Sequence, residues 1–583
     1  MPCYDAIQRL GAARLVVKMR AAVWDDYDGC TFVMAANRFK KRRLLAVISL
    51  VIVWALPAFS GQHPCARCHQ SEVQGFLATP MGRTLGPPGR GPSGSFYHSV
   101  SGTRFSVRSR PGHMTQRMER GGFASQYSIA YSMGSGAHAV AYLIEVGNHL
   151  FESPLSYYAQ SGWGISPGYE NLKAPDFYRA VRPQCLFCHT GEALPIHGTL
   201  NAYRNPVFAA EAINCQRCHG PTTEHLRNPV PGSIINPARL APRARASVCE
   251  QCHLGGEVPV PNPGKELADF HAGQNLEEVF TVYVYQSSRD PAHPGALAII
   301  SQSQQLALSK CARSSGDKLW CGTCHDPHAL PKDPVAHFRA RCLRCHGTEF
   351  LTSHPKPNQN CVGCHMPRLP AGRGAHTIFT DHRIAIYTPQ ELASLRTASS
   401  ESGSTPASSE DELVPWHNPP PQFAERNLGL AYARVGSQLE LFPFTRRAYQ
   451  LLLSAWKDFP DDPVLLRAMG QIISGTKREA EAEALFDKAL AVEPNSSLIY
   501  YDKAEAAEQA GDTNNAISYF EKTLEIDPWL VDPYQHLARL YTANAQLALA
   551  RQTYAHFLKA FPESIDAKRE VSRISAHSAP NKK

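Results

Sequence analysis

A mostly α-helical chain in two unlike parts is predicted: an irregular first part carrying a small antiparallel β insertion, then an α-solenoid. Three observations predict it. The pentapeptide Cys-x-x-Cys-His occurs seven times between Cys65 and His365. Short alternating runs separated by Gly, Ser and Pro fill residues 95–165. Alanine and proline recur every 34 residues from Ala448 to Pro562.

Residues 1–33 carry Asp25, Asp26 and Asp28 ahead of a basic run, Arg38 to Arg43, and an apolar stretch from Leu44 to Phe59. Basic then apolar then small residues is the order of a secretory signal, so 34–60 reads as a signal peptide and 1–33 as an upstream mis-start. An uncleaved anchor is the alternative. The expected location is periplasmic or otherwise extracytoplasmic, and membrane association is possible but not required.

From residue 61 to 395 the repeated pentapeptides dominate. They begin at Cys65, Cys185, Cys215, Cys249, Cys321, Cys342 and Cys361. In this spacing two thiols add across the two vinyl groups of one porphyrin, and the adjacent imidazole becomes an axial iron ligand. Cys65, Cys68, Cys185, Cys188, Cys215, Cys218, Cys249, Cys252, Cys321, Cys324, Cys342, Cys345, Cys361 and Cys364 are therefore expected to hold seven covalently bound haem c groups. Their proximal ligands are His69, His189, His219, His253, His325, His346 and His365. Zinc is the rival, but a tetrahedral site has no need of a His after every second Cys. Haem attached outside the cytoplasm agrees with the signal peptide. Haems also explain a Pro- and Gly-rich stretch with little aliphatic sequence, because each macrocycle buries apolar area at about 25 cal/mol per Å². Such a region should not fold without haem.

Between the first and second motifs, runs such as Phe96 to Val100, Arg104 to Val107 and Ser125 to Ile129 alternate as strands do. A hairpin at Gly147-Asn148 is expected to join Ala139–Val146 to Leu150–Tyr158. One further strand is expected at Val279–Tyr285. Residues 396–420 read as a linker, with Ser, Thr, Glu and Asp concentrated from Thr397 to Glu412.

The solenoid is expected over 421–575. Pro460, Pro494, Pro528 and Pro562 share the period of Ala448, Ala482, Ala516 and Ala550, with Phe486, Phe520 and Tyr554 four residues after the last three alanines. This resembles tetratricopeptide repeats, in which a small residue lets paired helices approach and Pro ends the second. The first repeat, from Phe423, carries extra residues around Leu439–Phe444. Such arrays bind a protein partner or stabilise the domain beside them.

Fifteen histidines lie outside the motifs between Gly61 and His417, more than seven sixth positions need. His225 in CHGPTTEH and His328 in CHDPH share backbone segments with proximal ligands. His138, His98 and His382 are the next candidate distal ligands. Met81 is a possible thioether ligand, and Cys311 is the one mature cysteine outside the motifs. The net charge of +8 falls to about +3 without residues 1–60, and no basic aromatic stripe supports nucleic-acid binding.

The segments CARCH with TPMGRT, GSGAHAVAYL, CHGPTTEH, INPARL, VCEQCH, CGTCHDPH and CVGCHMP resemble the exported multihaem cytochromes c of the doubled-CxxCH kind, related to the hydroxylamine-oxidoreductase class and often fused to tetratricopeptide repeats. The resemblance spans residues 62–385. It implies closely packed, mostly bis-His haems that pass electrons along a row, with His225 as a distal ligand. There is no CxxCK motif, and the class enzymes usually have eight motifs. The expected function is electron transfer, with the repeats docking a redox partner. The alternative is an oxidoreductase with one open haem acting on a small nitrogen or sulfur oxyanion, for which Arg83, Arg179, Arg182 and His197 lie near motifs; no catalytic residue is singled out.

Overall fold

Alternation of apolar and polar residues builds the first half as sheets. The computed structural model describes residues 63–254, 258–289, 301–354, 360–370, 378–401 and 411–578. The leader and signal peptide of residues 1–60 lie outside the described residues.

After a short strand β1 (Leu85–Gly86), four strands form a meander in sequence order: β2 (Gly94–His98), β3 (Thr103–Arg110), β4 (His113–Arg120) and β5 (Phe123–Ser128). Phe105 and Val107 of β3 and Met114 and Met118 of β4 point to one buried face, as period two requires. Beyond it come β6 (Tyr131–Met133), β7 (Ala139–Val146), β8 (His149–Glu152), β9 (Leu155–Tyr158), β10 (Gly162–Ile165) and β11 (Arg179–Ala180), which with β1 form a seven-stranded sheet. The hairpin at Gly147-Asn148 is present, pairing Val146 with His149. Its Gly147 has φ +62°, the left-handed conformation that a tight turn needs.

The β insertion is larger than expected. It continues through β12 (Glu192–Pro195) and β13 (Tyr203–Ala210), flanking the second motif instead of stopping at 165. About half of the structure is helical, so "mostly α with a small β insertion" is corrected to a mixed fold with sizeable antiparallel sheets. The strand expected at Val279–Tyr285 is β15 (Phe280–Tyr285), between β14 (Val258–Pro261) and a later strand. A two-stranded pair, β16 (Arg368–Pro370) and β17 (Ile378–Thr380), follows the seventh motif. The boundaries of the linker also differ. A helix runs Pro389–Glu401, and β18 (Leu413–Pro415) pairs with β15, so only 402–410 lie outside the described residues.

Nine helices complete the described chain: α1 (Ala424–Gln438), α2 (Phe442–Ala455), α3 (Pro463–Ile473), α4 (Glu479–Val492), α5 (Ser497–Gln509), α6 (Thr513–Ile526), α7 (Asp532–Ala543), α8 (Leu547–Ala560) and α9 (Ile565–Ser578). They pair as the 34-residue period demands. Ala448, Ala482, Ala516 and Ala550 are all fully buried, with Phe486 and Phe520 sealed beside the last turns. The extra residues of the first repeat are absorbed by helix length, 15 residues in α1 against 11 in α3, and Glu440 turns the chain with φ +54°. One continuous core joins Phe105, Met114 and Phe151 of the sheets to Phe520, Tyr534 and Phe561 of the array.

Candidate functional site

Four of the motif helices are short, four to seven residues, whereas Pro242–His253 and Pro334–His346 run 12 and 13. Helices Pro183–His189, Gln216–His219, Pro242–His253, Cys321–Cys324, Pro334–His346 and Cys361–His365 end in or just before the motif histidine, which places each imidazole at a helix C-terminus. None of the fourteen motif cysteines is buried.

Four motif histidines are paired with an imidazole from another segment. His69 and His225 have ring centroids 6.4 Å apart, His219 and His328 5.9 Å, His325 and His382 6.2 Å, and His365 and His354 6.1 Å. An iron about 2.0 Å from each of two ring nitrogens, with each ring centre about 1.1 Å behind its nitrogen, sets two centroids about 6.2 Å apart. Ring planes are inclined by 23–30° in three pairs and 67° in the fourth, and rotation about an axial bond is compatible with both.

The outer nitrogens are committed in the manner of ligands. Nδ1 of His219 meets the Ile235 carbonyl at 2.8 Å, His225 the Ser233 hydroxyl at 2.8 Å, His365 the Ala385 carbonyl at 3.0 Å and His382 the Thr380 carbonyl at 2.9 Å. A bond from Nδ1–H to oxygen fixes the tautomer and leaves Nε2 as the donor to a metal. Burial pushes His219, His325 and His382 below the ordinary imidazole range, which keeps them neutral. Backbone contact aligns one pair. Gly75, on the helix Gln70–Ala78 that follows the first motif, lies against the His328 carbonyl, and a Cβ there would overlap it.

Cysteines of different motifs also meet. Cys65 contacts Cys215, Cys188 contacts Cys252, Cys249 contacts Cys321 and Cys342 contacts Cys361. The first motif thus neighbours the third, the second the fourth, the fourth the fifth, and the sixth the seventh. The donor set fits haem c: Cys pairs for attachment, a proximal His at each, and a second imidazole at axial spacing for four. One cluster suits another metal. Ligand atoms of His63, Cys65 and Cys215 lie within 4.8 Å of one another. That is one ligand short of a closed zinc site, and it uses two cysteines of the attachment set.

The remaining candidates divide. His98 bonds the Ser101 hydroxyl through Nδ1 at 2.8 Å and the Glu170 carbonyl through Nε2 at 2.9 Å, leaving no lone pair for iron. It ties β2 to the 170 turn instead, because a strand histidine facing inward needs both nitrogens satisfied. His138 meets Phe379 at 5.1 Å and faces no imidazole among the described residues. Met81 opens a half-buried turn, and Cys311 is half-buried near Cys324 and Cys342. His197 is taken by Glu266 and Glu493, each at 3.0 Å, and Arg179 by Glu152 at 3.3 Å.

His189 differs from the paired four. Its ring meets no other aromatic ring among the described residues, its Nδ1 has no hydrogen-bond partner, and burial holds its pKa down. Arg182 caps its helix, and Arg434 of α1 lies close to Arg182 and Cys185. Neither arginine forms an ion pair within the described residues. Sequence reasoning missed Arg434, which is far away in the chain, and His354, which nothing in its local motif marks. His354 follows the sixth motif by eight residues where His225 follows the third by six, the one signal that was available.

Residues 507–573 match the tetratricopeptide repeat family, so the C-terminal array is of a kind that engages proteins. No curated protein matches the chain. Among solved structures, a MamA RS-1 ArsTM double mutant is 20% identical over 27% of this chain and 85% of its own, with a TM-score of 0.24. MamA 41-end from Desulfovibrio magneticus RS-1 is 19% identical over 26% of this chain and 84% of its own, TM-score 0.23. The APC/C hetero-tetramer Cut9-Hcn1 is 19% identical over 26% of this chain and 32% of its own, TM-score 0.23.

Proposed function

We propose that this chain is an exported seven-haem c-type cytochrome that transfers electrons along covalently bound haems, with its repeat array engaging a protein partner. The observation that carries the reading is the set of four imidazole pairs at 5.9–6.4 Å, each joining a motif histidine to a different segment. Haem c would supply reversible one-electron exchange at iron. The residues would supply the rest. His225, His328, His382 and His354 would hold four of the groups together with His69, His219, His325 and His365, and an iron held by two imidazoles would favour electron transfer over substrate binding. Contacts between motif cysteines support close spacing, in the order first, third, and then sixth with seventh, and with the second and fifth both beside the fourth.

His253 and His346 also face no second imidazole among the described residues, but His189 alone of the three has a buried Nδ1 without a partner and two arginines near its motif, and it favours a second reading, an oxidoreductase with one open haem at Cys185 and Cys188. Arg182 and Arg434 would there attract and orient a small nitrogen or sulfur oxyanion. The test is a spin-quantified electron paramagnetic resonance spectrum of the oxidised mature protein, after its mass has established the haem count. Seven low-spin irons support electron transfer alone. One high-spin iron that shifts on adding nitrite or hydroxylamine, and that is lost in His189→Ala, supports the second reading. A mature protein carrying no haem refutes both.

A further inference from the structure

The turns between helix pairs form one edge of the repeat array, and that edge is engaged by the chain's own β region. Three successive turns each present a carboxylate. Glu493, after α4, accepts from His197 at 3.0 Å. Asp527, after α6, pairs with buried His149 at 2.5 Å and accepts from the Leu200 amide at 3.4 Å. Glu563, after α8, accepts from the Tyr127 hydroxyl and from the Phe177 amide at 3.1 Å. Between them the Ser497 hydroxyl donates to the Gly198 carbonyl at 2.9 Å, and Trp529 covers Gly147 at 3.0 Å from where a Cβ would stand. These contacts recur at nearly the repeat period, so the β region is matched to the array turn by turn.

Apolar packing follows the same line. The core that joins β3, β4 and β7 to α5–α9 contains no motif cysteine and no motif histidine. By contrast, in the stretch of the last three motifs, helices Lys310–Ser315, Cys321–Cys324, Pro334–His346, Phe350–Ser353 and Cys361–His365 bury no residue at all, whereas the earlier motif helices Pro183–His189 and Pro242–His253 bury two and five. Side chains alone can hold the first assembly together, and they do not hold the second.

We propose that the inter-repeat edge is a docking surface for the chain's own β region, and that the two fold as one platform before haem is attached, presenting the motif segments for attachment. The proposal rests on the haem reading for its purpose but not for its structure. Docking uses hydrogen bonds and apolar contacts that need no prosthetic group. Four motif cysteines, Cys68, Cys185, Cys345 and Cys364, are exposed and the other ten are half-buried.

Hydrogen exchange on the full-length chain, made with and without haem and kept reduced, tests this. In the haem-free chain, amides of 94–165 and 497–574 are expected to exchange about 100-fold more slowly than those of Pro334–His346, which slow only once haem is attached. Equal exchange of both regions in the haem-free chain would overturn the platform. The double variant Asp527→Asn, Glu563→Gln is expected to release 94–165 while α3–α6 stay protected, and undiminished protection of 94–165 would overturn the edge as its docking surface. Absence of haem from the mature protein would sink the haem reading alone, since the haem-free measurements stand without it.

Discussion

Helices Pro334–His346 and α3 (Pro463–Ile473) are of similar length, yet the first buries none of its residues and the second buries six. The difference lies in what each is built to cover. In α3, Leu465, Leu466, Met469 and Ile473 recur at helical spacing and close over Phe486, with Gly470 so tight against that ring that a Cβ would come within 2.7 Å. Pro334–His346 is amphipathic by pattern but spends its last turn on Cys342, Cys345 and His346, residues suited to a prosthetic group. On the proposed haem reading the two helices would take their stability from different sources, and perturbations should separate them.

The largest separation is expected from Cys342→Ala with Cys345→Ala. Mass spectrometry should show one haem fewer, and hydrogen exchange should show Pro334–His346 unprotected, with α3–α9 unchanged. A variant that keeps seven haems, or one that loosens the array, would break the contrast. Next is Phe520→Ala in α6, where a fully buried ring is removed. It should cost the array about 3–5 kcal/mol in urea unfolding and leave the haem count intact.

A third substitution touches the region where both sources of order meet. Gly75→Ala forces a methyl into the His328 carbonyl, displacing the imidazole beside His219. A cost of about 1–3 kcal/mol is expected. If haem is attached as proposed, only the group at Cys215 and Cys218 should change its low-spin signal, while His98→Phe should leave every signal in place.

These contrasts also explain what could be read without coordinates. Period 34 declared the array because every repeat solves the same packing problem with the same residue types, down to Ala448, Ala482, Ala516 and Ala550. The motif histidines stand out for a similar reason, since the attachment chemistry proposed for them is local to five residues. The imidazoles that face them come from distant segments. His225 and His328 could be singled out because they share a segment with a motif histidine, whereas His354 could not, and His98, a candidate of the next rank, is set aside because Ser101 and Glu170 occupy both its nitrogens. The β region was underestimated because β12 and β13 flank a motif and were read as part of its irregular surroundings. Its pairing with the array was invisible, for Asp527 and His149 are 378 residues apart.

The smallest expected effect concerns pH, and it probes the junction itself. Asp176 lies between the β region and α8–α9. Burial pushes its carboxyl up to about 7, the nearby Glu563 carboxylate adds to the shift, and the Tyr178 amide and Arg120 partly oppose it. The unfolded chain releases this proton near the ordinary aspartate value of about 4, so between pH 4 and 7 the folded state binds more protons than the unfolded one. Stability must therefore fall as pH rises through that window and level off above it. Glu563, also raised by burial, acts in the same direction. With solvent screening at this half-buried site, the loss is about 1–2 kcal/mol. Exchange protection of β3–β5 should be greater at pH 5 than at pH 7.5, after correction for the intrinsic rate, and Asp176→Asn should flatten the difference while Pro334–His346 shows no such trend. A dependence of equal size in both regions would mean that they unfold together, and the division between side-chain core and haem-dependent segment would fail.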